Sequence, residues 1–191
     1  MAFLSVRFPT LLAALFIGLV VAAPALAQRD ELGDASELIK LGQYERALTR
    51  VEAYLEEQPK DARGRFLKGL ILAEQKKFDE AIAVFTELTQ DFPELPEPFN
   101  NLAVLYANQG QYDEARSALE MAIRTHPSYA TAHENLGDVY AKLASQAYDK
   151  ALQLDRENRT AQTKLNLIRE LFSSAAAPAG PDQDRSLSGP R

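Results

Sequence analysis

A repeat of 34 residues is the feature of this sequence that most constrains its fold. Turn, aromatic, alanine and proline landmarks recur at this interval through three copies: Gly42, Lys76 and Gly110; Tyr44, Phe78 and Tyr112; Ala47, Ala81 and Ala115; Pro59, Pro93 and Pro127. Four kinds of landmark sharing one interval do not arise by chance. A chain with such a period is expected to stack similar units, each in contact mainly with its neighbours.

Each unit reads as a pair of helices. In the third copy, residues 96–129, apolar side chains fall at i, i+3, i+4 and i+7, which is one stripe of an α-helix: Phe99, Leu102, Ala103 and Tyr106. Gly110 interrupts this pattern, a second stripe begins at Tyr112, and Pro127 ends it. Two helices of this size cannot bury both apolar stripes against each other, so neighbouring copies of the repeat must cover the apolar surface that remains exposed.

These landmarks resemble those of the tetratricopeptide repeat (TPR), with its Gly-x-Tyr-x-x-Ala turn and terminal proline. The resemblance implies an all-α, right-handed solenoid of antiparallel helix pairs whose first helices line the concave side. Placed in register, the repeats occupy residues 28–61, 62–95, 96–129 and 130–155, and a C-terminal capping helix follows at residues 156–172. This fold hosts many functions, so function must be argued from its surface.

The first and fourth repeats depart from the pattern. Repeat one is degenerate because Glu31 and Asp34 occupy slots that are usually apolar, as suits a terminal cap. Leu38 and Leu41 are expected to keep the end of its apolar stripe. Repeat four lacks the Gly-x-Tyr turn, and residues 138–154 contain neither Gly nor Pro. This predicts that its two helices fuse into one long helix. The alternative is a very tight turn near Ser145.

The two ends of the chain have other compositions. Arg7, an apolar run at residues 11–23 and the small-x-small sequence ending at Ala27 have the order of a secretory signal, with cleavage expected after Ala27. The run of 13 residues is shorter than the roughly 20 that a spanning helix needs, although a retained anchor is the alternative. We therefore expect a bacterial periplasmic or secreted protein. Residues 173–191 are small, polar and charged, and we expect them to be disordered.

Neither the composition nor any motif in the sequence indicates a catalytic site. The chain has a net charge of −6, no cysteine and two histidines, so neither a nucleic-acid surface nor a disulfide framework is expected. His126 is expected in a surface loop, and His133 is expected to pack in or near the core. No metal-binding, nucleotide-binding or hydrolase motif is present. The sequence predicts no enzyme, no cofactor and no metal.

The concave side implied by the resemblance carries two asparagines one repeat apart, Asn101 and Asn135. A side-chain amide offers both a donor and an acceptor, which matches the backbone of an extended peptide, and some TPR proteins hold peptides with such ladders. Leu67 takes the equivalent place in repeat two, so the ladder has at most two rungs, and a solvated concave face is the alternative. The candidate partner-binding residues are Phe66, Leu70, Asn100, Asn101, Asn108, Glu134, Asn135, Asp138 and Lys142.

Two classes of function follow. The first is an adaptor of the cell envelope that binds a partner protein or an extended peptide in the concave groove. The second is a structural subunit of a larger envelope assembly that docks through its convex face or its cap helix. A two-carboxylate clamp is rejected because Phe66, Leu70 and Val104 stand where that mode needs polar residues. Replacing Asn101 and Asn135 by alanine is expected to abolish capture with little effect on stability.

Overall fold

The structure, a computed structural model, describes residues 31–175, and within that range all regular structure is helical. The helices are α1 (Glu31–Lys40), α2 (Tyr44–Glu57), α3 (Ala62–Glu74), α4 (Phe78–Asp91), α5 (Pro96–Asn108), α6 (Tyr112–Thr125), α7 (Ala130–Leu154) and α8 (Arg159–Ala175). In this part of the chain no helix is both long and apolar enough to cross a membrane. The predicted signal segment, and the predicted tail from residue 176 onward, lie outside the described residues.

The helices stack in chain order. α1 and α2, α3 and α4, and α5 and α6 form three antiparallel hairpins, and the second helix of each also packs against the first helix of the next. First helices contact each other in two neighbouring pairs, α1 with α3 and α5 with α7, whereas α3 with α5 and the pairs of second helices in the described range make no comparable contact. Because the first helices lie closer together, they form the inner side of the curved stack. The expected TPR solenoid is confirmed.

The turn within each hairpin depends on a left-handed residue. Gly42, Lys76 and Gly110 have φ angles of 69°, 62° and 75°. The residue after each one closes the turn with a backbone hydrogen bond to the first helix, as when the Lys77 N–H donates to the Leu72 carbonyl at 2.9 Å. Glycine enters this conformation without steric cost, but a residue with a Cβ does not. Lys76 is therefore the strained member of the set.

Close approach between helices explains the small residues of the repeat. Ala81 and Ala115 are fully buried on their second helices. On α3, a Cβ built at Gly69 would lie 2.7 Å from the ring of Phe85, itself fully buried on α4. The helices of repeat two therefore meet at a distance that only glycine allows at this position.

A polar contact recurs between repeats. Gln75, after α3, donates to Glu45 in the first turn of α2 at 3.1 Å, and one period later Gln109, after α5, donates to Asp79 in the first turn of α4 at 3.3 Å. One period further on, the equivalent contact would join Asp113 to residue 143, but that residue is a leucine inside α7 and cannot donate a side-chain hydrogen bond. The contact therefore links repeat one to two and two to three, and stops where the hairpin turn is lost.

Repeat four is one continuous helix of 25 residues, α7, with no turn at Ser145. This is the helix that the missing turn motif predicts. Asn158 then caps α8, since its side chain accepts from the Ala161 N–H at 3.0 Å, and α8 packs back along α7. α8 runs to Ala175, so placing the start of the disordered tail at residue 173 is wrong for residues 173–175. The helix continues because no glycine or proline occurs before Pro178.

The first helix of repeat one keeps Leu38 of the expected stripe, which packs against the core, but not Leu41. Leu32 and Ala35 are buried against α2, whereas Leu41 lies in the turn after α1 and is 62% exposed. The expectation for Leu41 is wrong because α1 ends at Lys40, and the turn that follows directs this side chain into solvent.

Candidate functional site

The inner side of the stack presents one continuous stripe along α5. Glu97, Asn101, Val104 and Asn108 lie at i, i+4, i+7 and i+11, which is one face of a helix. All four side chains are exposed or half-exposed. A pocket lies at each end of this stripe. The pockets are named here for the first helices that form them, the α3–α5 pocket and the α5–α7 pocket.

The α5–α7 pocket has a volume of about 380 Å³. Val104 and Asn108 of α5 face Asn135, Asp138 and Lys142 of α7 across it. Four of the predicted binding residues, Asn108, Asn135, Asp138 and Lys142, therefore share one cavity. The rest of its lining is apolar or aromatic: Ala103, Ala107, Tyr112, Leu119, Val139 and Phe172.

Phe172 is a residue of this pocket that the sequence did not place there. It lies in the last two turns of α8, and its ring packs under the ammonium group of Lys142, 4.0 Å from the ring centroid. Such a contact is attractive because the face of the ring is negative. The helical stripe that contains Phe172 was visible in the sequence. Its position at the groove depends on how α8 folds back on α7, which the prediction of a capping helix at residues 156–172 does not specify.

The two predicted rungs of the asparagine ladder make different contacts. Asn135 donates from Nδ2 to Oδ1 of Asn100 at 2.8 Å, and Asn100 is only 6% exposed. Asn100 therefore supports Asn135 from beneath the inner face. Asn101 donates from Nδ2 to the Glu97 carbonyl of its own helix at 2.9 Å, which fixes the orientation of its amide.

This arrangement changes how the ladder can be tested. Truncating Asn135 would leave the buried amide of Asn100 without its partner, which costs about 1–3 kcal/mol of stability. The hydrogen bond revises the expectation that alanine at both positions leaves stability little altered, since Asn135→Ala is now predicted to lower it. The side chain of Asn101 donates only to the Glu97 carbonyl of the same helix, so Asn101 remains a suitable position for a binding test.

The α3–α5 pocket is smaller, about 320 Å³, and almost wholly apolar. It is lined by Ala62, Arg63, Phe66, Leu95, Glu97 and Pro98. Phe66 forms one wall, and its ring meets Phe85 edge-on with centroids 5.5 Å apart, so the wall is held by the core. Leu70, the next predicted residue on α3, is half-buried and packs against the core on both sides of repeat two.

Three exposed carboxylates lie on the inner side of the stack: Glu97 lines the α3–α5 pocket, Asp138 lines the α5–α7 pocket, and Glu134 precedes Asp138 by about one turn of α7. Glu97, Glu134 and Asp138 are all exposed, and no ion pair joins any of them to another described residue. Burial raises the pKa of Tyr129, and the negative charge of Glu97 raises it further. The negative charge of Glu97 is therefore felt at Tyr129, on the same side of the stack.

The two histidines lie away from both pockets. His126 follows α6 as its C-cap residue and is exposed, in agreement with its expected surface position. The expected packing of His133 is wrong, because its side chain is exposed and donates to the Pro127 carbonyl at 2.9 Å. The equivalent residue of repeat two, Arg65, reaches Asp91 on α4. Repeat four has no second helix folded back at that place, so His133 has nothing to pack on.

A third depression, of about 460 Å³, lies between α5 and α6. Tyr106, Ser117 and Met121 are among its lining residues, together with the carboxylates of Asp113 and Glu114. Tyr106 belongs to a different face of α5 from the stripe of Glu97 and Val104. This depression is therefore a surface separate from the inner groove.

Comparisons with known proteins agree with the geometry of the fold. One family model, described as tetratricopeptide repeat, matches residues 32–96, and a second with the same description matches residues 72–143. The chloroplastic tetratricopeptide repeat domain-containing protein PYG7 of Arabidopsis thaliana is 28% identical over 114 residues, 55% of this chain and 38% of that protein. Tetratricopeptide repeat protein 16 of Mus musculus is 28% identical over 159 residues, 74% of this chain and 21% of that protein. The chain thus spans well under half of the length of each of these relatives.

Solved structures show the same stack of helices. TTC0263, a thermophilic TPR protein of Thermus thermophilus, is 25% identical with a TM-score of 0.58, and the match covers 78% of this chain and 84% of that one. The first TPR domain of human RPAP3 is 15% identical with a TM-score of 0.58, covering 61% of this chain and 92% of that one. At the latter identity the likeness concerns the fold alone.

Proposed function

The chain belongs to the tetratricopeptide repeat family, and from that premise we propose that it is a non-enzymatic adaptor that holds a partner protein by an extended segment on its inner face. Proteins of this family mediate protein–protein interactions. The observation that carries the proposal is the pair of pockets joined by the exposed stripe of α5. Concave sites with apolar walls and a few convergent polar groups are where proteins bind ligands.

The polar groups of the groove suit a peptide better than a small metabolite. Asn101 and Asn135 present amides, Asp138 and Lys142 present opposite charges, and Val104 lies between them. An extended segment requires both donors and acceptors for its backbone and apolar space for alternate side chains. The stripe supplies these in sequence along a rigid helix.

The proposed location is the cell envelope, in the periplasm or outside the cell. Its support is the order of a basic residue, an apolar run and a small-x-small site within residues 1–27. Expression of the full chain in a bacterium, followed by fractionation and intact mass measurement, tests this. A chain that begins at Gln28 in the periplasmic fraction supports export, and an unprocessed cytoplasmic chain refutes it.

Two charged substitutions distinguish the inner groove from the rest of the surface. Val104→Asp places a carboxylate in the stripe at a residue that is already 41% exposed, so the fold is expected to tolerate it. Ser117→Arg makes a comparable change in the depression between α5 and α6, also at an exposed residue. Affinity capture from an envelope extract, with each variant at equal melting temperature, is the measurement. Loss of a specific partner with Val104→Asp and retention with Ser117→Arg supports the groove.

The opposite result would favour the second candidate function, a structural subunit that docks through its outer surface. The depression between α5 and α6 is the observation behind it, because Tyr106 and Met121 line it beside two carboxylates. In that case Ser117→Arg prevents incorporation into the assembly, and Val104→Asp does not.

A further inference from the structure

We propose that a second copy of this chain binds the open face of α7, so that two chains pair through antiparallel α7 helices in a weak, symmetric dimer. The open face consists of six residues of α7 in alternating steps of three and four: Gly137, Tyr140, Ala144, Ala147, Ala151 and Leu154. This spacing places all six on one side of the helix. The dimer goes beyond the proposed function, because none of these residues lines either pocket of the inner groove.

The other repeats show that a helix fits on this face. Gly137 lies two periods after Gly69, so the open face of α7 is equivalent to the face of α3 that α4 covers. A Cβ at Gly69 would lie 2.7 Å from the Phe85 ring of α4, whereas a Cβ at Gly137 would have no atom within 4 Å. Ala103, the equivalent residue of α5, is only 1% exposed. Repeat four therefore lacks the antiparallel helix that covers this face in repeats two and three.

The face that is left uncovered carries large apolar side chains. Tyr140 is 49% exposed and Leu154 is 79% exposed, and Ala147 between them is also exposed. α8 does not cover them, because it packs on another side of α7, where it contacts Lys142 and Asp149. Contiguous apolar side chains that remain in water mark an interaction surface.

The open face is complementary to itself. When two copies of it run antiparallel, the first residue of one face lies opposite the last residue of the other. Leu154 of one copy then packs on Gly137 of the second copy, where no side chain stands in the way. Tyr140 packs on Ala151 in the same manner, so each large side chain meets a small one. Ala144 and Ala147 meet at the centre, on either side of the two-fold axis.

Other arrangements of the same two faces lack this match. A parallel pair would place Tyr140 against Tyr140 and Leu154 against Leu154, and would leave the glycines facing each other across a gap. An antiparallel pair shifted by seven residues would leave either Leu154 or Tyr140 without a facing residue. A face that matches itself in one closed, two-fold arrangement selects a second copy of the chain as its occupant.

The size of the face sets the strength of the dimer. From Gly137 to Leu154 the face is about 26 Å long, and a helix contact is about 10 Å wide, so the strip is roughly 260 Å² on each copy. Stable interfaces bury roughly 800 Å² on each partner. The dimer is therefore weak and forms reversibly as the concentration of the chain rises.

The dimer leaves the inner groove of each copy accessible. Asn135, Asp138 and Lys142, which line the α5–α7 pocket, lie on the opposite side of α7 from the open face. Two grooves held together bind a partner with two suitable segments more tightly than one groove does.

Sedimentation equilibrium of the full chain tests the dimer. Runs between about 10 and about 500 µM cover the range of Kd expected for a weak interface. Ala147→Glu is expected to abolish the dimer, because it places a carboxylate from each copy beside the two-fold axis. Gln146→Glu is the matched control, because it adds the same charge at an exposed residue on another side of α7, and it should leave the Kd unchanged. Equal melting temperatures of the dilute variants show that both remain folded.

The symmetry of the dimer gives a second measurement. Leu154→Ser removes one leucine from each copy, at about tenfold in Kd for each, so the homodimer is expected to weaken about a hundredfold or more. A mixed dimer of the variant with the unchanged chain loses one leucine and is expected to weaken only about tenfold.

Cysteine crosslinking tests the antiparallel register, since the chain has no cysteine of its own. In that register Gly137→Cys of one copy faces Leu154→Cys of the other. An equimolar mixture of the two variants is therefore expected to form disulfide-linked heterodimers on mild oxidation, whereas each variant alone is not. Gln146→Cys reports crosslinking from random collisions.

The outcomes are decisive in either direction. A chain that stays monomeric throughout the concentration range, or a dimer that Ala147→Glu leaves intact, overturns the inference. Crosslinking of Gly137→Cys with itself in preference to the mixture overturns it as well, because it indicates a parallel pair. If the chain is monomeric and Ala147→Glu prevents capture of a partner from the extract, the face binds a helix of another protein and not a second copy. Val104→Asp tests the groove separately, so failure of the dimer leaves the proposed adaptor function standing.

Discussion

Two glycines at the same repeat position should respond in opposite ways to the same substitution. Gly69 and Gly137 lie 68 residues apart, two periods of the repeat, and both are inside helices. A Cβ at Gly69 would meet the Phe85 ring at 2.7 and 2.8 Å, whereas a Cβ at Gly137 would have no atom within 4 Å. We predict that Gly69→Ala destabilises the protein and that Gly137→Ala stabilises it.

The magnitudes follow from two terms. Replacing a helical glycine by alanine favours folding by up to about 1 kcal/mol at either site, because alanine restricts the unfolded chain. At Gly69 the added methyl must displace a ring that is fully buried, which costs about 1–3 kcal/mol. The two variants should therefore differ by about 1–3 kcal/mol in the free energy of unfolding. In a chain of this size that corresponds to about 3–10 °C in Tm.

Thermal and urea unfolding followed by circular dichroism measure the difference. A double variant provides the control: with Phe85→Leu in place, the ring is gone and Gly69→Ala should lose its penalty. If Gly69→Ala proves as stable as Gly137→Ala, the close contact between α3 and α4 is not present in solution. If the penalty persists in the Phe85→Leu background, its cause is something other than this ring.

Three further predictions concern the turn, the asparagines and one tyrosine. Lys76→Gly should raise the free energy of unfolding by about 1 kcal/mol in urea titrations, because it relieves a left-handed backbone in a non-glycine residue, and unchanged stability would contradict that strain. Asn135→Ala should lower the free energy of unfolding by about 1–3 kcal/mol, whereas Asn101→Ala should leave it nearly unchanged. Equal losses for the two variants would contradict the assigned hydrogen bonds. The hydrogen bond that Tyr44 donates to Glu74 raises the pKa of the Tyr44 hydroxyl above 10.0 in the folded protein. The stabilisation of the folded state by this bond is therefore present below pH 10.0 and is lost as the pH rises through the higher pKa of the folded protein. Glu74→Gln should lower that pKa in ultraviolet difference titrations, and no change would refute the contact.

The sequence by itself determined the repeating unit and its boundaries. Gly42, Gly110 and the aromatic two residues after each define a turn through local backbone geometry, and the apolar stripes define helices through their own spacing. Both are short-range effects, because a helix and its turn satisfy most of their hydrogen bonds within a few residues. The fused helix α7 was predictable for the same reason, since the missing turn is a local property of residues 138–154.

Only the tertiary structure decided which side chains meet at the groove. Asn100 and Asn135 are 35 residues apart and pair because α5 and α7 lie side by side. Phe172 reaches Lys142 because α8 folds back along α7, and His133 is exposed because repeat four has no returning helix. These contacts depend on the angle and distance between helices, which are set by the summed packing of many buried residues. A period in the sequence specifies each unit, and the packing between units specifies the site.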